Sequence, residues 1–394
     1  MNEWKKVKLG DCIREVIKKT TENNQYEVLS VTKDGIFFQK EFFKKQIASE
    51  NNIGYKIIRR NNLVFSTMNL WMGSLDVLTN YEIGIVSPAY KIFEFNEKLM
   101  LPEYGNYFMK SHYMLEQYKN CSEQGASVVR RNLDLKALLN VEINIPSIEE
   151  QKKIIGILKK IDSIIDRYKK LLEEKNQFIK SQFLEMLRSK EYQMIELDEC
   201  IESILKGPFG SDMKKSLYVP KTNNTYKVYI QVNVIEKNEN LGDYWISKEY
   251  FDNKMNRYEV FPRDFIITCD GTLGKIFQLD EKMEKGVISS SLMKITLNKE
   301  MIDSSYFEFL WNNYLLNKLL KKVGNTALKH LPSAKVIQKS TIPYLNMEEQ
   351  KSFAKFIRLI DEQKLLLEMQ KQNYEELKKG LMQRLLTGKV KANV

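Results

Sequence analysis

EEQKKIIGILKKID (149–162) and EEQKSFAKFIRLID (348–361) are two copies of one helical opening, with six of fourteen positions identical. The copies begin 199 residues apart, and each follows an Ile-Pro pair, at 145–146 and at 342–343. Proline disfavours helix in the residue before it, so each pair marks a boundary after which a helix begins. A chain that repeats such a boundary is expected to repeat the unit around it.

Both copies predict a long helix. Apolar residues recur at alternating steps of four and three, which is typical of a coiled-coil seam, and no proline interrupts either run. A helix of about 40 residues spans roughly 60 Å and needs a partner along its length, so we expect the two to pack antiparallel against each other. The predicted seam positions are Ile154, Leu158, Ile161, Ile165, Tyr168, Leu172, Ile179 and Met186, then Phe353, Phe356, Ile360, Leu367, Tyr374, Leu377 and Leu381, with polar interruptions at Lys175, Gln182, Gln363 and Gln370.

The segments before the two helices also correspond. The matches are LGDCI with LDECI (starting at 9 and 197), NNLVFST with RDFIITC (61 and 263), and GIVSP with GVISS (84 and 286). Strand-like runs bounded by turn residues alternate with helical runs in each half, which predicts an α+β fold. We therefore predict a duplicated chain with an approximate twofold axis. Its parts are globular domain 1–145, helical region 146–190, globular domain 191–342 and helical region 343–394.

The composition favours a polyanionic partner. The 394 residues carry a formal charge of +11, which suits nucleic acid or an anionic membrane surface, although an ordinary basic surface would have the same charge. The four cysteines form no CxxC pair and are interpreted as reduced core thiols. The N-terminal stretch has no apolar signal region, and no run approaches the roughly 18 apolar residues of a membrane span. We expect a cytoplasmic protein.

Several motifs carry a family resemblance. INIPSIEEQKKI and STIPYLNMEEQKSF begin the two helices, ILKGPFGSDMKKSLY opens the second domain, DGTLGKI lies in its sheet, and LKKGLMQRLLTGKVKA closes the chain. With them, nearly the whole chain resembles the DNA-specificity subunit of type I restriction and modification systems. The resemblance implies a non-catalytic subunit whose two target-recognition domains bind the halves of a bipartite sequence in double-stranded DNA. It also implies two methyltransferase subunits on the helical regions and restriction (motor) subunits joining them. S-adenosylmethionine, ATP and Mg would then be bound by those partners, and no cofactor by this chain.

The two halves differ where DNA contacts are expected. The first domain has TTENNQYEVLSVTKDG (20–35) where the second has the glycine loop, and STMNLWMGS (66–74) where the second has TCDGTLGKI (268–276). A two-part recognition sequence would require such variation.

Four loops supply the candidate DNA contacts. In KGPFGSDMKK, glycines allow close backbone approach, serine can meet phosphate and lysines supply sequence-independent attraction, although in isolation it also fits a plain surface loop. CDGTLGK lacks the GxxxxGK[ST] frame of a nucleotide loop and is predicted to form a hairpin whose tip faces DNA. EQGASVVRRNLD and VGNTALKHLP are basic loops. The predicted DNA-binding residues are Lys206, Gly207, Phe209, Gly210, Ser211, Lys214, Lys215, Thr272, Lys275, Asn325, Thr326, Lys329, Ser127, Arg130 and Arg131.

Catalysis finds little support in the sequence. His112 and His330 are the only histidines and lack metal-ligand spacing, and no Walker A motif, methyltransferase tetrapeptide or glycine-rich cofactor fingerprint occurs. Two alternatives stay open at this point. One is the recognition part of a stand-alone methyltransferase or nuclease, and the other is a coiled-coil scaffold with no DNA role.

Overall fold

The computed structural model describes residues 4–32, 35–42, 51–124, 131–323 and 330–392, to which every structural statement here is confined. The chain divides into two compact units, Met1–Leu171 with Leu367–Val394, and Leu172–Leu366. Each unit contains a globular part and a segment of both long helices. Within the described residues, no helix is long and apolar enough to cross a membrane.

The globular part of the first unit is α+β. Its central sheet is antiparallel with strand order β2-β9-β6-β7, and the pairs β1-β12, β3-β4, β5-β8 and β10-β11 surround it. The elements are β1 (Lys5–Lys8), α1 (Leu9–Cys12), β2 (Ile13–Glu15), β3 (Leu29–Thr32), β4 (Gly35–Phe38), α2 (Gln39–Phe42), β5 (Lys56–Arg59), β6 (Leu63–Ser66), β7 (Leu75–Val77), β8 (Ile83–Val86), β9 (Tyr90–Phe95), α3 (Pro102–Met109), α4 (His112–Asn120), β10 (Ser122–Gln124), β11 (Arg131–Leu133), α5 (Leu135–Leu139), β12 (Glu142–Ile145) and then the long helix α6 (Ile148–Ser189).

The second globular part is also α+β and has two four-stranded sheets. One is antiparallel in the order β14-β21-β18-β19, and the other is mixed in the order β16-β15-β20-β17. The elements are β13 (Gln193–Glu196), β14 (Ile201–Lys206), β15 (Thr225–Tyr229), α7 (Gln231–Ile235), β16 (Trp245–Ser247), α8 (Lys248–Tyr250), β17 (Glu259–Val260), β18 (Phe265–Thr268), β19 (Ile276–Gln278), β20 (Gly286–Ile288), β21 (Leu292–Leu297), α9 (Ser304–Leu310), α10 (Leu316–Val323), α11 (Ala334–Gln338), β22 (Thr341–Tyr344) and the long helix α12 (Met347–Leu385).

The two globular parts share one plan. In each, the opening strand pairs antiparallel with the strand that precedes a long helix, β1 with β12 and β13 with β22. The central sheets β2-β9-β6-β7 and β14-β21-β18-β19 match strand for strand. The turns that precede β6 and β18 also match, because Asn61 and Arg263 both have positive φ, 67° and 70°. The predicted duplication of a whole unit is confirmed by this common topology.

A buried glutamine at the start of each long helix explains why EEQ occurs twice. Gln151 is fully buried, accepts a hydrogen bond from the Leu101 amide, and donates to the carbonyls of Leu99 and Pro146. The Gln151 side-chain amide therefore satisfies three backbone groups at the junction between the first long helix and its globular part. The same contacts recur in the second unit, where Gln350 accepts from Asp303 and donates to the carbonyls of Met301 and Leu345.

The long helices extend over 42 and 39 residues, and their predicted stripes are largely buried or half-buried. In the first unit the Tyr168 and Tyr374 rings lie 5.8 Å apart. In the second unit the Phe183 and Phe353 rings lie 5.6 Å apart. Two predicted polar interruptions also meet there, since the Lys175 ammonium donates to the Gln363 side chain at 2.7 Å.

One seam position is wrong. Leu377 is 48% exposed, whereas Tyr374, Lys378 and Leu381 are half-buried. A helix turns by about 100° per residue, so a step of four from Tyr374 keeps the stripe facing inward and a step of three leaves Leu377 outside it. A lysine takes the inward position because its ammonium forms an ion pair with Asp162 and lies 5.5 Å from the centre of the Tyr107 ring.

Candidate nucleic-acid interface

The loop between β18 and β19 in the second unit has a fixed shape. The two strands pair antiparallel, which confirms the predicted hairpin. Gly274 has a φ of 73°, and a Cβ there would lie 2.1 Å from a Leu316 methyl. The buried Trp311 indole donates to the Gly274 carbonyl at 2.8 Å. Glycine is therefore required at this turn, and the predicted contacts Thr272 and Lys275 are held exposed on a rigid loop.

A charged cluster lies beside this loop. The Asp270 carboxylate accepts a hydrogen bond from the His330 imidazole, and the Lys206 ammonium lies 4.0 Å from the same carboxylate. The Gln231 side-chain amide donates to the Asp270 backbone carbonyl at 2.9 Å. These side chains offer base-edge donors and acceptors as well as a positive charge for phosphate, so together they can bind DNA in either way.

The glycine loop that follows β14 is anchored at both ends. At its start, a Cβ on Gly207 would lie 2.0 Å from the Ser289 carbonyl oxygen, so only glycine fits. At its end, Met213 is 9% exposed and packs among Val228 and Ile246 of the mixed sheet. Lys214 and Lys215 follow, both exposed, and neither has an ion-pair partner in the part of the chain that the structure describes.

The first unit has different side chains at the matching place. The amide of Arg131 donates to the Met68 carbonyl at 3.3 Å. In the second unit the Leu331 amide donates to the Cys269 carbonyl at 3.0 Å, which places Asp270 opposite His330 in an isolated bridge. The Arg131 guanidinium lies 4.7 Å from the centre of the Trp71 ring, and its Nε is buried without a hydrogen-bond partner among the described residues. At this end of the sheet the backbone therefore joins Met68 to Arg131 in the first unit and sets Asp270 beside His330 in the second.

The predicted contacts fall into three groups. The structure brings Lys206, Thr272 and Lys275 to one end of the antiparallel sheet and places Arg131 at the corresponding end in the first unit. The loop residues Gly207, Phe209, Gly210, Ser211, Lys214 and Lys215 form one segment that extends from that end towards the mixed sheet. The residues Ser127, Arg130, Asn325, Thr326 and Lys329 lie outside the described residues.

Sequence reasoning missed the partners of this cluster. The sequence indicates Asp270 only as part of the predicted CDGTLGK hairpin, and no motif includes Gln231. Asp270 and His330 are 60 residues apart, so local spacing contains no sign of their contact. The one available signal was the mismatch between STMNLWMGS and TCDGTLGKI, which marked these loops as the place where the halves differ.

The surroundings of Cys269, which lies beside this cluster, do not favour a nucleophilic role. Burial raises the pKa of the Cys269 thiol to about 12, so the thiol stays protonated near neutral pH. Cys12 and Cys200 are buried as expected of core thiols, whereas Cys121 is only half-buried. His112 is exposed and lies 3.6 Å from Glu116, its neighbour one helical turn on. Among the described residues, no three His, Cys, Asp or Glu side chains are grouped to hold a metal ion.

Comparison with known proteins identifies the family. The family model described as the type I restriction modification DNA specificity domain matches residues 1–177 and again residues 189–379. The chain belongs to the type I restriction-modification DNA specificity family. It is a specificity subunit with two specificity domains, one for each half of the duplication, and such a subunit recognises DNA and is not catalytic.

Two relatives agree with this assignment, and one solved structure shares the fold over almost the full length. The type I restriction enzyme MjaVIII specificity subunit of Methanocaldococcus jannaschii is 24% identical over 99% of this chain and 93% of its own. A putative MjaX specificity subunit from the same organism is 24% identical over 75% of this chain and 70% of its own. A chain from a structural study of complex assembly and conformational transition of the type I R-M system covers 99% of each chain with a TM-score of 0.60. At 13% identity, that likeness concerns the fold alone.

Proposed function

We propose that this specificity subunit binds a bipartite sequence in double-stranded DNA, with one globular part reading each half. The main support for this proposal is that the two units share one topology but carry different side chains at the same end of the sheet. The same sheet and hairpin loop occur in both units, yet the side chains at the loop and beside it are Met68 and Arg131 in one and Asp270 and His330 in the other. Recognition of two different half-sites requires a scaffold of constant shape whose side chains facing the base edges differ between the units.

The side chains at these positions would favour different bases. The Arg131 guanidinium has five donors in a fixed fork and can bind guanine through O6 and N7. The Asp270 carboxylate accepts hydrogen bonds, and carboxylates pair with the cytosine amino group. The two units would thus prefer different bases while the backbone approaches DNA in the same way.

The two long helices would form an antiparallel coiled coil that sets the distance between half-sites, with the halves related by an approximate twofold axis. The ring contact of Tyr168 with Tyr374 and that of Phe183 with Phe353 support this pairing, since a higher number on α6 meets a lower number on α12. Helices of roughly 60 Å are long enough to hold two domains about one turn of B-DNA apart, 34–36 Å, on the same face of the duplex.

The helical regions would also dock the enzymatic subunits. On α12, Leu359, Leu366, Met369 and Leu377 are each about half exposed and lie away from the buried stripe. Exposed apolar side chains such as these, in the α12 segment of each unit, suit contact with another protein. Two methyltransferase subunits, and restriction subunits with them, would bind these regions and supply S-adenosylmethionine, ATP and Mg. The assembly would act on cellular DNA in the cytoplasm.

Salt dependence tests the DNA-binding proposal. For the Lys214→Ala/Lys215→Ala variant we expect weaker binding to every DNA sequence and a salt slope that is lower by about two, because each phosphate contact releases about one counterion. The measurement is a titration of labelled target and non-target DNA at several salt concentrations.

The matched control removes the same charge elsewhere. Lys152 and Lys153 are adjacent exposed lysines on α6, and their double alanine variant should keep the wild-type salt slope. A wild-type affinity that does not change with salt would contradict the proposal. Equal losses in the two double variants would mean that net charge alone matters and that the loop is not a contact.

A further inference from the structure

Phe209 is the most exposed large apolar side chain among the described residues, at 82%. It lies in the glycine loop of the second unit, directly after the buried Pro208. An aromatic ring left in water forgoes the free energy that burial would provide. Single exposed apolar residues are normal on protein surfaces, so exposure alone does not indicate a binding site. A ring that a fixed loop holds in solvent is a stronger indication.

The contacts of the loop fix its backbone around the ring. The Gly207 amide donates to the Leu292 carbonyl at 2.8 Å, and the carbonyl of Phe209 accepts from the Asp212 amide at 2.9 Å. The Tyr250 hydroxyl donates to the Asp212 carbonyl at 2.9 Å, and the buried Met213 side chain closes the segment. These contacts fix the turn, and the Phe209 side chain lies on its solvent-exposed side.

Neither packing nor backbone geometry among the described residues requires the glycine at position 210. A Cβ at Gly207 would collide with a backbone oxygen, which accounts for that glycine, whereas a Cβ at Gly210 would meet no described atom within 4 Å. Gly210 is also absent from the described glycines that have positive φ. A glycine that neither packing nor backbone geometry requires is explained if another molecule's backbone passes close to it.

The surrounding charge indicates which molecule that is. Lys206, Lys214 and Lys215 flank the loop in sequence and are exposed, against the single half-buried carboxylate of Asp212. An exposed aromatic ring within a net positive loop matches the wedges that nucleic-acid-binding proteins insert between base pairs, where lysines hold the adjacent phosphates.

We propose that Phe209 inserts as a wedge into a base-pair step of the DNA half-site bound by the second unit, and kinks the duplex there. The proposal rests on the proposed function, since it concerns DNA bound by the same unit. Gly210 gives the sugar-phosphate backbone room to approach, and the lysines on either side of the wedge hold the phosphates. The first unit has no counterpart of this loop in sequence, so the kink is confined to one half-site.

The test measures bending and unstacking on the selected target with the full-length chain. Wild-type protein should bend the duplex by roughly 20–90°, and 2-aminopurine placed at the wedged step should brighten. Phe209→Ala should abolish both signals and weaken binding by roughly 5- to 100-fold, as loss of base–aromatic stacking does. Phe209→Leu keeps an apolar wedge and should retain much of the bend. A 2-aminopurine probe in the other half-site should stay unchanged throughout.

The controls separate the possible failures. Phe261 is 51% exposed on the same unit but outside the loop, and Phe261→Ala should leave bending unchanged. Thermal unfolding of Phe209→Ala should match wild type, because the ring packs against little of the chain. If Phe209→Ala bends and binds DNA like wild type, or if wild type leaves its target straight, the wedge is wrong while the proposed function stands. If wild type binds no DNA sequence selectively, the proposed function itself fails.

Discussion

The Gln350→Leu variant is expected to lose roughly 3 kcal/mol or more of the free energy of unfolding of the second unit. Leucine fills similar volume but can neither donate nor accept a hydrogen bond. The Asp303 amide and the carbonyls of Met301 and Leu345 would be left without their partner at a buried junction. Each buried group that loses its partner costs about 1–3 kcal/mol.

Chemical denaturation and amide exchange at the junction measure the effect. Glu348→Gln is the control, since Glu348 is the exposed first residue of the same EEQ motif and its change should be nearly neutral. Gln151→Leu should have the matching effect on the first unit alone, so that exchange rises near residues 99–101 and remains normal in the second unit. Equal stability of Gln350→Leu and Glu348→Gln would show that the buried amide is not what ties helix to domain.

Shortening both long helices by one heptad is expected to change the spacing between half-sites without changing the half-sites. The variant lacks 169–175 on α6 and 364–370 on α12, which preserves the heptad pattern of each helix. Seven residues of helix account for about 10 Å, which corresponds to about three base pairs at 3.4 Å each. Because a heptad is nearly two full turns, the faces of both helices stay aligned.

Selection of preferred sites from random DNA measures the spacing. The matched control replaces the same residues with unrelated helix-forming heptads of equal length, and its preferred spacing should equal that of wild type. A deletion variant that selects the wild-type spacing would exclude the helices as the spacer. New bases within either half-site would contradict the separation of reading from spacing.

Local patterns in the sequence predicted the parts of this fold that local physics determines. The seam positions follow from the helical period, and the hairpin at Asp270-Gly271 follows from turn chemistry. The error at Leu377 has the same origin, since spacing permits a step of three or four there and only the contact of Lys378 with Asp162 and Tyr107 selects between them.

Contacts between residues far apart in sequence were not predictable in this way. The sequence shows Gln151 only as part of a repeated motif, because the Leu101 amide and the Leu99 carbonyl that it binds lie about 50 residues earlier. The contact of Asp270 with His330 depends on a strand bridge that forms only when the domain folds. Gly207 and Gly210 look alike in sequence, yet the structure explains only the first by packing.

The most direct test of independent reading is site selection from random DNA, carried out in parallel for wild type, Arg131→Ala and Asp270→Ala/His330→Ala. The account predicts that wild type selects two defined half-sites separated by an unspecified spacer. Arg131→Ala should relax about one position in one half-site at a cost of about 1–3 kcal/mol, and the Asp270/His330 variant should relax only the other half-site. A single contiguous target for wild type, or changes in both half-sites from either variant, would contradict the account.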